Sequence, residues 1–211
     1  MTEEDWADAW KQHYHMQRIG DRLVIVPTWE SYAGEPDDLI IRLDPGAAFG
    51  TGLHPTTRLA LRLLEHAARP AKHLLDVGTG SGILAIAGAL LGAQHVVAVD
   101  VHEVAVGVAR ANIAANNLTE QITVLVGSAT DGLEWSGQPF DVVIANIIAR
   151  VLIDLADSLA KAVPIGGELI LSGIIEAAEI EVLITFAVRG FEPIERYEEG
   201  EWRAHRLLRV R

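Results

Sequence analysis

The stretch Leu75-Asp76-Val77-Gly78-Thr79-Gly80-Ser81-Gly82 decides how this 211-residue chain folds. The apolar residues at its start belong to a predicted strand at residues 73–77, and a predicted helix follows at residues 81–91. Three alternating glycines join the two elements, and glycine allows positive φ angles and a close approach of the backbone to a ligand. Because glycines are also common in structural turns, the loop alone predicts no more than a candidate ligand site.

Strands and helices are predicted in alternation on both sides of this loop. The core strands are apolar throughout, which indicates burial on both faces between two layers of helices. The last two strands are close enough in sequence to form a hairpin, which places one antiparallel strand near the C-terminus. The sequence therefore predicts an α/β, doubly wound, Rossmann-like fold around a seven-stranded, mostly parallel sheet. Further strands are predicted at residues 23–26, 39–43, 96–99, 122–126, 141–145, 168–171, 192–197 and 203–210, and further helices at residues 5–17, 103–115, 149–162, 177–189 and from Pro55 onwards.

The composition fits a reducing compartment and excludes several kinds of site. The chain has 17 Lys and Arg against 29 Asp and Glu, a formal charge of −12, and no cysteine. The lack of thiols excludes disulfides, thiolate metal sites and a cysteine nucleophile, and we predict no metal site. The negative charge opposes direct binding to nucleic acid and favours a basic partner, unless it only keeps the protein in solution. With no targeting sequence and no apolar stretch long enough to cross a membrane, we expect a cytoplasmic protein.

An acidic residue at the end of the next predicted strand strengthens the prediction of a ligand site. Asp100 follows residues 96–99, where a carboxylate can accept hydrogen bonds from both ribose hydroxyls of an adenosine group. Alternatively, Asp100 caps the helix that begins near Glu103. The glycines follow the pattern G-x-G-x-G, whereas a dinucleotide site has its third glycine later and a helix N-terminus open to pyrophosphate. This spacing favours S-adenosylmethionine over NAD as the cofactor.

Two further segments carry a resemblance to a known family. Residues 44–57 read DPGAAFGTGLHPTT, and residues 141–148, in and after the fourth core strand, read DVVIANII. Together with the glycine loop and a closing EGEW at residues 199–202, they resemble the methyltransferases that modify large-subunit ribosomal protein eleven (the L-eleven methyltransferases). The resemblance covers nearly the whole chain. It implies a class I S-adenosylmethionine-dependent fold and methyl transfer to lysine or N-terminal amino groups of that basic ribosomal protein.

The resemblance also implies roles for individual positions. The implied cofactor-binding residues are Phe49, Thr51, Thr57, Gly78, Gly80, Asp100 and Asn146. Asn146 is in addition the predicted catalytic residue, because its amide oxygen, with a nearby backbone carbonyl, can accept N–H bonds and orient the lone pair of an amine. Alternatively, Asn146 is a strand-end turn residue that touches only the cofactor, and Phe49 packs in the core. No general base is identified.

One departure from the family affects the domain assignment and the substrate. Members usually carry an N-terminal domain that binds the ribosomal protein, and this chain begins at what resembles the linker after it. We therefore predict an N-terminal helix and linker segment at residues 1–38 and a catalytic domain at residues 39–211. The acceptor remains open between the ribosomal protein, another protein and a small molecule, and a module that binds S-adenosylmethionine without turnover is a further alternative.

Overall fold

The computed structural model describes residues 14–44, 52–67, 71–129 and 138–211. Its strands are β1 (Gln17–Ile19), β2 (Leu23–Pro27), β3 (Leu39–Leu43), β4 (His73–Val77), β5 (His95–Asp100), β6 (Ile122–Val126), β7 (Val142–Asn146), β8 (Glu168–Ile175), β9 (Phe191–Glu199) and β10 (Trp202–Arg209). Its helices are α1 (Pro55–Ala67), α2 (Ile83–Leu90), α3 (Glu103–Ala115), α4 (Ala149–Asp154), α5 (Ala156–Ala162) and, after a 3-10 turn at Glu176–Ala178, α6 (Glu179–Ala187). None of these helices combines the length and apolar character needed to cross a membrane.

Seven of these strands form the central sheet, in the order β6-β5-β4-β7-β8-β10-β9. The ladders from β6 to β8 are all parallel, whereas β10 is antiparallel to both of its neighbours. β10 therefore runs against the other six strands, as the hairpin prediction requires. The predicted α/β fold, with a mostly parallel sheet and one antiparallel strand near the C-terminus, is confirmed.

Successive side chains of the inner strands pack against helices on opposite faces of this sheet. On β4, Leu74 belongs to a cluster with residues of α1, α2 and α3, whereas its neighbour Leu75 packs with residues of α4, α5 and α6. Both leucines are fully buried. Because alternate side chains of a strand point to opposite faces, a sheet that is covered on both faces needs apolar residues at every position. This explains the unbroken apolar runs in the sequence.

The strand order changes direction next to β4. From β4 the chain proceeds outward through β5 and β6, and it then returns to place β7 and β8 on the other side. Ligands of open parallel sheets bind at such a switch point, outside the carboxyl ends of the strands. The glycine loop after β4, Asp100 at the end of β5 and Asn146 at the end of β7 all lie on that edge.

Three elements differ from their predicted form for identifiable reasons. The predicted helix at residues 149–162 is divided at Leu155, whose φ of −91° and ψ of 1° leave the helical region. The predicted strand at residues 168–171 extends to Ile175 because β10 pairs with its second half. Of the predicted helix at residues 5–17, residues 5–13 lie outside the described residues, and the chain from Tyr14 enters β1 without a helix.

A second, three-stranded sheet packs against the helices of the core. β1 and β2 are antiparallel, and β2 pairs in parallel with β3. Leu23, Ile25, Ile41 and Leu43 from this sheet are fully buried in the same cluster as residues of α1 to α3. β2 and β3 thus pair across the predicted domain boundary between residues 38 and 39, whose position stays a prediction.

A buried carboxylate ties the β1–β2 turn to α1. Glu65 is 7% exposed, and its two oxygens accept the backbone N–H groups of Asp21 at 3.0 Å and Arg22 at 2.8 Å. Gly20 precedes these amides with a φ of 66°, and a Cβ there would lie 1.9 Å from Oε2 of Glu65. The turn therefore requires glycine, and Glu65 provides acceptors for two amides in a partly buried position.

We expect Glu65→Ala to lower the free energy of unfolding by about 2 kcal/mol, because two charge-assisted hydrogen bonds are lost and two amides lose their acceptors. Urea denaturation followed by circular dichroism measures this change. Glu120→Ala, at an exposed turn position, is the control and should change the value by less than about 0.5 kcal/mol. Equal losses in the two variants would contradict the role given to Glu65.

Candidate functional site

A cleft of about 560 Å³ opens at the carboxyl edge of the sheet. Its walls come from the residues that follow β4, β5, β6 and β7, from the start of α1, and from β8 and β10. The volume is within the range of about 300–1,000 Å³ that is typical of sites for small molecules and cofactors. The cleft is therefore the candidate ligand site that the strand order predicts.

The glycine loop takes a form that side chains would prevent. Gly78, Gly80 and Gly82 have φ angles of 74°, 56° and 84°. A Cβ at Gly78 would lie 2.5 Å from Cγ2 of Ile147, and a Cβ at Gly82 would lie 3.2 Å from that of Ala109. The loop is thus pressed against the segment after β7 on one side and against α3 on the other. Positive φ angles require glycine at all three positions, and lack of space adds to this requirement at Gly78.

Backbone hydrogen bonds fix the glycine loop to the end of β5. The N–H groups of Gly78 and Thr79 both donate to the carbonyl of Val99, at 2.9 and 3.0 Å. The carbonyl of Val99, near the end of β5, therefore holds two consecutive amides of the glycine loop that follows β4. This arrangement sets the distance between the ends of β4 and β5.

Asp100 continues this link with its side chain. The residue is 8% exposed, and its Oδ2 accepts the N–H of Gly80 at 3.0 Å while its Oδ1 accepts the N–H of His102, also at 3.0 Å. Because a carboxylate oxygen can accept two hydrogen bonds, each oxygen keeps capacity for a ligand hydroxyl. The carboxylate lines the cleft, with both oxygens held in place by the protein.

Asn146 presents an acceptor without a partner. Its Nδ2 donates to the hydroxyl of Thr57 at 3.3 Å, whereas its Oδ1 is buried and has no hydrogen-bond partner among the described residues. Thr57 is fully buried in the first turn of α1, and both residues line the cleft. A buried acceptor that stays unsatisfied costs about 1–3 kcal/mol. Such an atom is suited to receive a donor from a ligand.

Asp76, at the end of β4, supports the glycine loop from beneath. It is fully buried, and its Oδ2 accepts the hydroxyl of Thr79 at 2.6 Å and the N–H of Ala85 at 3.1 Å. Burial raises the pKa of the Asp76 carboxyl to about 7, although both hydrogen bonds favour the charged form. Asp76 therefore joins the loop to the first turn of α2.

Sequence reasoning missed the wall of the cleft that His54 and Trp202 form. Their rings meet edge to face, with centroids 4.9 Å apart, and both residues line the cleft. His54 precedes α1 and its Nδ1 lies 2.8 Å from the hydroxyl of Thr56, whereas Trp202 is the first residue of β10. No local pattern signals this pair, because the two residues meet only when β10 has taken its place in the sheet.

Gly173 of β8 is a second residue that sequence reasoning missed. It has a φ of 81°, and a Cβ there would lie 2.4 Å from the carbonyl oxygen of Ile147. The backbone after β7 therefore lies directly against β8 at the cleft. A glycine inside a strand indicates this kind of close approach, but the strand predicted from the sequence ends at Leu171, so Gly173 gave no such signal.

The predicted site residues that the structure describes come together in one place. Phe49 and Thr51 lie outside the described residues. The predicted residues that line the cleft are Thr57, Gly78, Gly80, Asp100 and Asn146.

The raised pKa of Asp76 predicts a dependence of stability on pH. The folded protein retains this proton up to about pH 7, whereas the unfolded chain releases it near pH 3.8. The stability that Asp76 contributes is therefore complete below about pH 4 and is lost as the pH rises to about 7. Asp76→Asn keeps an acceptor for Thr79 and Ala85, so we expect its stability relative to the wild type to increase over this range. Urea denaturation at a series of pH values measures the difference, and a constant difference would contradict the raised pKa.

The chain matches one family of known proteins along nearly all of its length. The family model described as Ribosomal protein L11 methyltransferase (PrmA) matches residues 1–209. A curated relative from Chloroflexus aurantiacus, named ribosomal protein L11 methyltransferase, is 49% identical over 96% of this chain and 68% of its own length. A relative of the same name from Geobacter metallireducens is 50% identical over 96% of this chain and 65% of its own length. The chain thus spans about two thirds of the length of these relatives.

A solved structure is similar as well. The crystal structure of ribosomal protein L11 methylase from Lactobacillus delbrueckii subsp. bulgaricus is 36% identical and has a TM-score of 0.85, covering 94% of this chain and 100% of that chain. The resemblance inferred from the glycine loop and from residues 44–57 and 141–148 is confirmed by these matches. The chain belongs to the ribosomal protein L11 methyltransferase family.

Proposed function

We propose that the chain is an S-adenosylmethionine-dependent N-methyltransferase that acts on lysine or N-terminal amino groups of ribosomal protein L11. The observation that carries the proposal is the buried, unpartnered Oδ1 of Asn146, in the same cleft as the carboxylate of Asp100. The carboxylate suits the ribose of an adenosine group, and the amide oxygen suits the N–H groups of an attacking amine. Membership of the family supports the same activity.

The described residues fit S-adenosylmethionine. Asp100 offers lone pairs to ribose hydroxyls, and Gly78 leaves the backbone open where a side chain would strike Ile147. Val101, beside Asp100, is apolar and 63% exposed at the cleft, which suits the flat face of a base. When bound, the cofactor supplies a methyl group on a positively charged sulfur, open to attack by a nucleophile.

In the proposed reaction, residues of this chain hold the acceptor amine and favour its neutral form, in which the lone pair is free to attack. A lysine with a pKa of about 10.4 is neutral in only about one part in a thousand near neutral pH. Ile147, Ile148 and Val151 line the cleft, and burial among them disfavours the charged amine and lowers its pKa. Asn146 Oδ1, with a nearby backbone carbonyl, accepts the amine N–H groups and directs the lone pair toward the methyl group. Catalysis then acts through positioning and electrostatics, without a covalent enzyme intermediate.

The choice of acceptor rests on the family and on charge. The relatives carry ribosomal protein L11 in their names, and the formal charge of −12 favours a basic partner. This net charge attracts a cationic acceptor, and a ribosomal substrate agrees with the cytoplasmic location expected from the sequence.

The test of the proposal is the transfer of a tritiated methyl group from S-adenosylmethionine to ribosomal protein L11 that lacks its methyl groups. We expect label in that protein. If label appears only in another protein or in a small molecule, that molecule is the acceptor instead of ribosomal protein L11. Cofactor binding without any labelled acceptor would favour a binding module. Calorimetry with S-adenosylmethionine, S-adenosylhomocysteine and NAD tests the cofactor, and binding of NAD alone would overturn the proposal.

Two substitutions separate cofactor binding from catalysis. We expect Asp100→Ala to weaken S-adenosylmethionine binding by at least about thirtyfold, because hydrogen bonds from the ribose hydroxyls to a charged carboxylate are lost. Asn146→Ala should lower kcat by about a hundredfold while the Kd of the cofactor changes less than about tenfold. Calorimetry and initial rates measure both effects, and the exposed Asp37→Ala serves as control. Equal losses of affinity and kcat in Asn146→Ala would argue against its catalytic role.

A further inference from the structure

Ser172 is a buried polar residue that the proposed reaction does not use directly. It lies on β8 opposite Asn146 in the parallel ladder and is fully buried. Its hydroxyl donates to the carbonyl of Thr56 at 2.8 Å. The next residue, Gly173, lies against the backbone of Ile147. Two consecutive residues of β8 therefore hold the first turn of α1 and the segment after Asn146 in fixed positions relative to each other.

The first turn of α1 in turn fixes the amide of Asn146. Thr57 follows the carbonyl that Ser172 holds, and its hydroxyl accepts the Nδ2 of Asn146 at 3.3 Å. Thr57 is fully buried, so water does not replace this contact. With Nδ2 bound to α1, Oδ1 remains as the end of the amide that has no protein partner among the described residues.

The direction of this amide matters for the attacking group. The two ends of an asparagine side chain have nearly the same shape, but one accepts hydrogen bonds and the other donates them. A flipped amide would present N–H donors instead. A donor would bind the lone pair of the neutral amine and keep it from the methyl group, and it would repel the positively charged sulfur. The correct end has to be selected before the substrate arrives, because a preorganised acceptor needs no rearrangement during the reaction.

We propose that Ser172 and Thr57 are positioning residues that orient the Asn146 amide with Oδ1 toward the acceptor amine. This inference rests on the proposed methyl transfer. It gives Thr57 a role in the reaction that acts through Asn146, in addition to its predicted contact with the cofactor. Ser172 acts one step further away, because it holds the helical turn on which Thr57 lies.

The side-chain amide resonance of Asn146 tests the orientation without any substrate. The resonance is identified in the free, ¹⁵N-labelled protein by its loss in Asn146→Ala. We expect it to shift in Thr57→Val, which keeps the shape and removes the hydroxyl, and to shift less in Ser172→Ala. It should stay in place in Thr57→Ser and in Thr185→Val, a control that removes an exposed hydroxyl bound to a helical carbonyl. An unchanged resonance in Thr57→Val would overturn the proposal, and an unchanged resonance in Ser172→Ala would remove Ser172 from it.

A double-mutant cycle on methyl transfer then connects orientation with rate. We expect Thr57→Val to lower kcat by about tenfold or more, and the conservative Thr57→Ser, which keeps the hydroxyl, to lose clearly less. In the Asn146→Ala background, Thr57→Val should have almost no further effect on kcat, because the amide on which it acts is absent. Additive losses, or a rise in cofactor Kd as large as the fall in kcat, would show that Thr57 acts on the cofactor alone. Absence of methyl transfer in the wild type would refute the proposed function and leave the resonance experiment decisive for orientation.

Discussion

The cleft depends on the hydrogen bonds that bind the glycine loop to the end of β5. Gly78 and Thr79 donate to the carbonyl of Val99, and Gly80 donates to the carboxylate of Asp100. The loop that makes these bonds has positive φ angles at Gly78 and Gly80, which glycine adopts at little cost. Asp76 then fixes the loop from the side of the core. The opposite side of the cleft is fixed by side chains instead, through the hydroxyls of Ser172 and Thr57 and the amide of Asn146.

Much of the fold and of the candidate site could be predicted because the signals are local. The strands that are buried on both faces have unbroken apolar sequences, so β4 to β7 are predicted to within a residue or two. Positions after strands then follow from topology, since the carboxyl ends of parallel strands share one edge. For this reason Gly78, Asp100 and Asn146 meet in the structure although they are far apart in the sequence. The element order and the glycine spacing predict the places of Gly78 and Asp100, whereas the role of Asn146 is implied by the resemblance to the family.

The remaining features depend on contacts between distant residues, which no local pattern records. Glu65 has the sequence signature of an exposed charge on a helix, and it is buried only because the amides of residues 21 and 22 turn toward it. The second half of β8 contains two residues, Ser172 and Gly173, that are unusual in a strand, and it is extended because β10 pairs with it. His54 and Trp202 meet through the same strand. In each case the partner, rather than the segment itself, determines the structure.

The place of β10 in the sheet has a consequence for the synthesis of the chain. Among the described strands, β9 pairs only with β10, and it leaves the ribosome first because translation proceeds from the N-terminus. Until β10 inserts between β8 and β9, the nascent chain carries one strand without a partner and one open sheet edge, the kind of surface that pairs with other chains. Trp202 arrives with β10. Protection of the nascent sheet against aggregation and completion of the aromatic wall are therefore a single event, which takes place once β10 has been synthesised.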